Sequence, residues 1–111
     1  PVYGYEFAWP SPAKRGALGA CHAVELPFVF GTLGAPGMAA FSGSGPDADR
    51  LSDLVMGTWS AFARSGDPAN GAIPRWPRHD PVTRPTLIID RDPRVELAPR
   101  DRTLRAGEGL R

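Results

Sequence analysis

Gly19-Ala20-Cys21-His22-Ala23-Val24-Glu25-Leu26-Pro27-Phe28-Val29-Phe30-Gly31 governs the reading of this chain, because it sets an ionisable histidine and a carboxylate inside an otherwise apolar run. A plain core segment avoids both groups, since burying a charge without a partner is costly. Upstream, Val2 to Trp9 (Val-Tyr-Gly-Tyr-Glu-Phe-Ala-Trp) is rich in aromatic and β-branched residues and halts at Pro10-Ser11-Pro12. That pattern predicts a strand with a firm stop. Its mixed apolar and aromatic character suits a strand covered on both faces. Ala13 to Ala20, small residues with Lys14 and Arg15 among them, reads as the loop leading to the histidine.

Downstream, Gly31 to Pro46 is glycine-rich, lacks periodicity and reads as a loop. From Asp47 the pattern changes. Leu51, Leu54, Val55, Trp59 and Phe62 recur at intervals of three and four, which places them on one face of a helix. Pro46 and Asp47 suit its first turn, Arg64 its last, and Gly66 stands where it should end, before Asp67-Pro68. Aromatics on such a stripe predict core packing for Trp59 and Phe62. Asn70-Gly71 marks a turn, and Ile73-Pro74-Arg75-Trp76-Pro77 is too rich in proline for regular structure. Thr86 to Asp90 reads as a second strand, Val95-Glu96-Leu97 as a short third, and Asp101 to Arg111 as a final helix fraying at Gly107 and Gly109.

Composition narrows the function classes. The chain of 111 residues is enough for one domain at most, and its 13 basic and 12 acidic residues give a formal charge of +1. A field that weak does not strongly attract nucleic acid or an anionic membrane. Cys21 is the one cysteine, which excludes an internal disulfide, and the two histidines, His22 and His79, form no zinc-ligand spacing. His79, in a loop flanked by charge, reads as a surface residue. No apolar run reaches the length needed to span a bilayer, and the opening residues lack the pattern of a signal peptide. The cellular compartment stays undetermined.

The run from Gly19 to Gly31 resembles the catalytic-histidine segment of type-B carboxylesterases, the group of the bacterial para-nitrobenzyl esterases and the cholinesterases. In that family a small residue precedes the histidine; two variable residues, a Glu and a Phe-Val-Phe-Gly-like run follow it. Each position is filled here. The resemblance extends over most of the chain: Val2-Tyr3-Gly4-Tyr5-Glu6-Phe7 is similar to the strand before the histidine, Leu51 through Trp59 to Asp67-Pro68 to the late helix and its exit, and Trp76-Pro77 and Thr86 to Asp90 to the closing segments. What this implies is an α/β fold, residues 1–111 forming the C-terminal part of a single α/β-hydrolase domain and thus a piece of a longer protein. Strands, a catalytic-histidine loop, a long amphipathic helix and a closing strand would be its parts.

The implied chemistry is serine-dependent hydrolysis of a small-molecule carboxylic ester, with His22 as the base and acid of the triad and with no metal or organic cofactor. An α/β-hydrolase orders its triad Ser, Asp or Glu, His, so a segment holding the histidine alone belongs at the end. No Gly-x-Ser-x-Gly elbow is present: around Ser44, Ser42 and Pro46 stand where the glycines would. The expectation is therefore that the segment is inactive without the preceding part of the same domain. Cys21 is not expected to pair with His22, since neighbours in an extended segment point apart. Cys21 and Ala20 either line the pocket wall beside the histidine or simply pack. Glu25 reads as a buried, hydrogen-bonded structural carboxylate, with support of the histidine as the alternative. Two rival functions remain at this level: a non-catalytic, adhesion-type relative of the same fold, and a small self-contained binding module.

Overall fold

The computed structural model of the chain describes residues 1–108. Strand β1 (Gly4–Phe7) lies parallel to β2 (Pro85–Ile89), with Gly4 opposite Thr86 and Phe7 opposite Ile89. On the other side of β2, β3 (Arg94–Leu97) runs antiparallel, with Pro85 opposite Leu97 and Ile88 opposite Arg94. The sheet order is thus β1-β2-β3. Every helix but the last lies in the crossover between β1 and β2: α1 (Leu26–Phe30), α2 (Met38–Ser42) and the long α3 (Pro46–Ser65). A final helix, α4 (Asp101–Gly107), follows β3. The expected fraying at Gly107 coincides with its end, whereas Gly109 lies outside the described residues.

Register explains which sheet face carries the helices. Tyr5 pairs with Leu87, Leu87 with Val95, and Phe7 with Ile89, so these side chains share one face. Against it pack α1 and α3, building a core of Trp9, Phe28, Ala48, Leu51, Val55, Leu87 and Ile89. Phe28 is completely buried at its centre and meets Phe7 and Trp9 at ring separations of 5.3 and 5.5 Å. The opposite face is different. There Ile88 is flanked in register by Glu6 and Arg94, and the surroundings are ion pairs: Glu6 with Arg100, Arg94 with Asp90 and Glu96. The expectation of a strand covered on both faces is corrected for the described residues: Glu6 turns to a charged face, and Tyr5 is exposed.

Helix α3 starts and stops as its residues dictate. Pro46 occupies the first turn with Asp47 and Asp49, whose charges favour the positive end of the helix, and Arg64 lies in the last turn. Gly66 takes a left-handed φ of 77° and returns its N–H to the Phe62 carbonyl at 2.7 Å. Its buried arc, however, is Ala48, Leu51, Ser52, Val55 and Thr58. Trp59 is half-buried and packs against the edge of the core, whereas Phe62 is exposed, so the expected core place is corrected for Phe62. Both sit at the edge of the arc, where they line an apolar groove of about 320 Å³ with Tyr3, Tyr5 and Trp76. Trp59 meets Tyr5 edge-on at 5.0 Å and Phe62 meets Tyr3 at 6.0 Å.

Two short helices were not foreseen: α2 lies in the stretch read as loop, and α1 in the run around His22 treated as extended. Pro27 near the start of α1 and Gly31 at its end, with φ 67°, are ordinary boundary signals for a helix. They went unread because five residues carry no measurable helical period. The same holds for α2, set between Gly37 and Gly43. Gly31 is also tightly fitted: a Cβ there would lie 2.8 Å from Sδ of Met56 on α3.

Candidate active site

The turn that carries His22 follows the carboxyl end of β1, the end of the parallel pair at which open α/β sheets place their ligands. From Phe7 the chain continues as Ala8, whose N–H donates to the Ile89 carbonyl at 2.8 Å, and then through buried Trp9 and Ser11. The Ser11 N–H donates to the Gly19 carbonyl at 2.8 Å, fixing the start of the histidine turn to the strand end. Lys14 and Arg15, both with left-handed backbone, reverse the chain between these two points.

The turn itself is tight. Cys21 N–H donates to Gly19 O at 3.0 Å, Val24 N–H to Cys21 O at 3.2 Å, and Leu26 N–H to Ala23 O at 3.2 Å. The segment is therefore a series of overlapping turns, which corrects the expectation of an extended segment around Cys21 and His22. Ala23 holds φ 68°, the left-handed region that residues with a Cβ avoid. Directly after it, Val24 is buried and its carbonyl accepts the hydroxyl of fully buried Ser42 at 3.0 Å. Phe28, one turn further, carries a carbonyl that accepts the hydroxyl of buried Ser52 at 2.9 Å. The result is an exposed imidazole on an anchored turn. Imidazole is the side chain suited to exchanging a proton near neutrality.

The other candidates separate around it. Ala20 is exposed and so does not pack in the core, and Cys21 is half-buried. Glu25 is half-buried at the start of α1, not buried as expected, and the hydrogen bonds that place it run from the N–H groups of Phe28 and Val29 to its backbone carbonyl, at 3.0 and 3.1 Å. His79 is exposed and remote in the chain, its backbone N–H bonded to Val2 O at 2.7 Å. Missed from sequence were Ser11 and Ser42, the polar residues that hold the histidine turn, and Ser52, which ties α3 to α1. Nothing in a single serine distinguishes a buried anchor from a solvated loop residue. Among the described residues no three His, Cys, Asp or Glu side chains gather as metal ligands would, and no helix is long and apolar enough to cross a membrane.

Comparison with known proteins bears on what this anchored histidine belongs to. A family model described as the carboxylesterase family matches residues 1–106. The chain belongs to the carboxylesterase family. It is 37% identical over 99 residues to a para-nitrobenzyl esterase of Bacillus subtilis, a match covering 89% of this chain and 20% of that protein. It is also 37% identical over 100 residues to a phenmedipham hydrolase of Pseudarthrobacter oxydans, covering 88% and 20%. Among solved structures, a PNB esterase superposes with a TM-score of 0.82 at 34% identity, over 95% of this chain and 21% of its own. A carboxylesterase of Geobacillus stearothermophilus does so with a TM-score of 0.79 at 35% identity, again over 95% and 21%. This carboxylesterase chain thus spans about a fifth of the length of the relatives it matches, and its sheet and helices are part of an α/β-hydrolase fold.

Proposed function

We propose that residues 1–111 are the C-terminal part of a single α/β-hydrolase domain whose full-length form hydrolyses small-molecule carboxylic esters through an acyl-enzyme, and that His22 is its triad histidine. The observation that carries this is His22 itself: exposed, on an anchored turn following the carboxyl end of parallel strand β1, in a carboxylesterase chain. In this reading His22 takes the proton of a serine hydroxyl as the serine attacks the ester carbonyl, and returns it to the leaving alcohol. The same cycle run with water then frees the acid. Serine, acid and oxyanion donors come from the preceding part of the same domain, so the segment by itself is inactive. No step calls for nucleic acid.

The test is His22→Gln in the full-length protein. Glutamine roughly preserves size and polarity, so folding should survive while kcat falls by several orders of magnitude, as for a triad deprived of its base. Thermal midpoint and turnover are measured on one preparation. A variant keeping more than about a tenth of parental kcat, a barrier change below about 1.4 kcal/mol, overturns the assignment.

A further inference from the structure

We infer that Ser42 is a positioning residue for His22, acting through the Val24 carbonyl; the inference rests on His22 being the triad histidine. Ser42 closes α2, twenty positions beyond the histidine, and its side chain is fully buried. It forms a junction. Its hydroxyl donates to Val24 O at 3.0 Å, while its own carbonyl accepts the Trp9 indole N–H at 2.8 Å. A second path runs beside the first: the buried Ser11 hydroxyl donates to the carbonyl of Phe41, and the Ser11 N–H to Gly19 O. The histidine turn is therefore gripped at Gly19 by Ser11, on the extension of β1, and at Val24 by Ser42, which the Trp9 indole and the Ser11–Phe41 bond tie to that extension.

What makes the Val24 grip consequential is Ala23. Its φ of 68° is costly for any residue with a Cβ, and such a conformation persists only where its surroundings over-determine it. On the far side of Ala23 from His22, the Ser42 bond is the side-chain contact that holds the Val24–Glu25 peptide, one peptide past the strained residue. Without it, Ala23 relaxes toward the right-handed region and rotates the peptide that carries His22. Ser52 provides the contrast. It too is a buried serine donating to a carbonyl, but its acceptor, Phe28, lies within α1, away from the strained residue.

The experiment compares Ser42→Ala, Ser42→Cys, Ser52→Ala and His22→Gln in the full-length protein, with turnover normalised to folded molecules. Misplacing a catalytic group by about an ångström costs up to roughly a hundredfold, so Ser42→Ala should lower kcat about ten- to a hundredfold with KM changed less than about twofold. Ser42→Cys, which keeps the volume and a weak donor, should fall between parent and Ser42→Ala, and it serves as the test if the alanine variant does not fold. Ser52→Ala should lower the thermal midpoint and leave kcat near parental. Parental kcat in both Ser42 variants, or an equal loss in Ser52→Ala, overturns the role of Ser42. If that happens while His22→Gln is inactive, the triad reading stands alone. An active His22→Gln overturns both.

Discussion

The Trp76 indole N–H donates to the Gly4 carbonyl at 3.0 Å, joining the proline-rich segment ahead of β2 to the first residue of β1 across 72 positions of chain. Trp76→Phe keeps most of the ring but leaves that carbonyl without its donor. The expected cost is about 1 kcal/mol in urea unfolding of the full-length protein, with turnover per folded molecule unchanged. An unchanged midpoint with altered turnover would make Trp76 part of the site and not a tether.

Two aromatic residues on the helix face should respond differently to truncation. Phe28→Ala empties the centre of the core and should cost about 3–5 kcal/mol, because the ring is completely buried between Phe7 and Trp9. Trp59→Ala removes a larger side chain but a half-buried one, so its cost should be the smaller. Equal losses would mean that the groove beside Trp59 is covered in the full-length protein.

Glu6 and Arg100 make stability depend on acid. The Arg100 guanidinium, hydrogen-bonded to Glu6, holds that carboxyl below its ordinary value of 4.5. Folding thus favours the carboxylate: the contribution is complete above pH 4.5 and disappears as the pH falls through the depressed folded value. Glu6→Gln should flatten this part of the stability curve, lowering stability slightly at neutral pH and leaving it unchanged below the depressed folded value. Because Arg100 is 69% exposed, the effect is small and should shrink further in salt. A parental acid slope in the variant would refute the pairing.

Gly31 should resist substitution for two separable reasons. Gly31→Ala places a Cβ at φ 67°, expected to cost about 1–2 kcal/mol in backbone terms, and brings it against Met56 Sδ. Adding Met56→Ala should remove the steric part of that loss and leave the backbone part. Unfolding free energies of the single and double variants measure both.

Legibility in the sequence followed the length of the pattern. Helix α3 was readable end to end, since twenty residues repeat the period more than five times and Pro46 and Gly66 mark its limits. β2 was readable because Thr86 to Ile89 is flanked by proline and aspartate. Helices α1 and α2, with five residues each, are shorter than two turns and leave only their caps to find. Of the face read for α3, Leu51 and Val55 are buried and Phe62 is not, because periodicity gives the existence of a face and not its angular centre. The true centre includes Ser52 and Thr58, whose hydroxyls are satisfied by the Phe28 and Leu54 carbonyls and so enter the core at little cost. The histidine was visible through its neighbours; the serines behind it are defined only by contacts 18 to 33 positions distant.

The two seams of the sheet close on different schedules. β2 and β3 are linked by residues 90–93 and pair as soon as they meet, whereas β1 reaches β2 only when the whole stretch from residue 8 to residue 84 has been drawn into a loop. Long-range pairing of that kind is the slow part of folding. His22 and both of its anchors lie within that loop. Its geometry is thus completed late in assembly and surrendered early when the parallel seam opens, while the hairpin at the far edge is still intact.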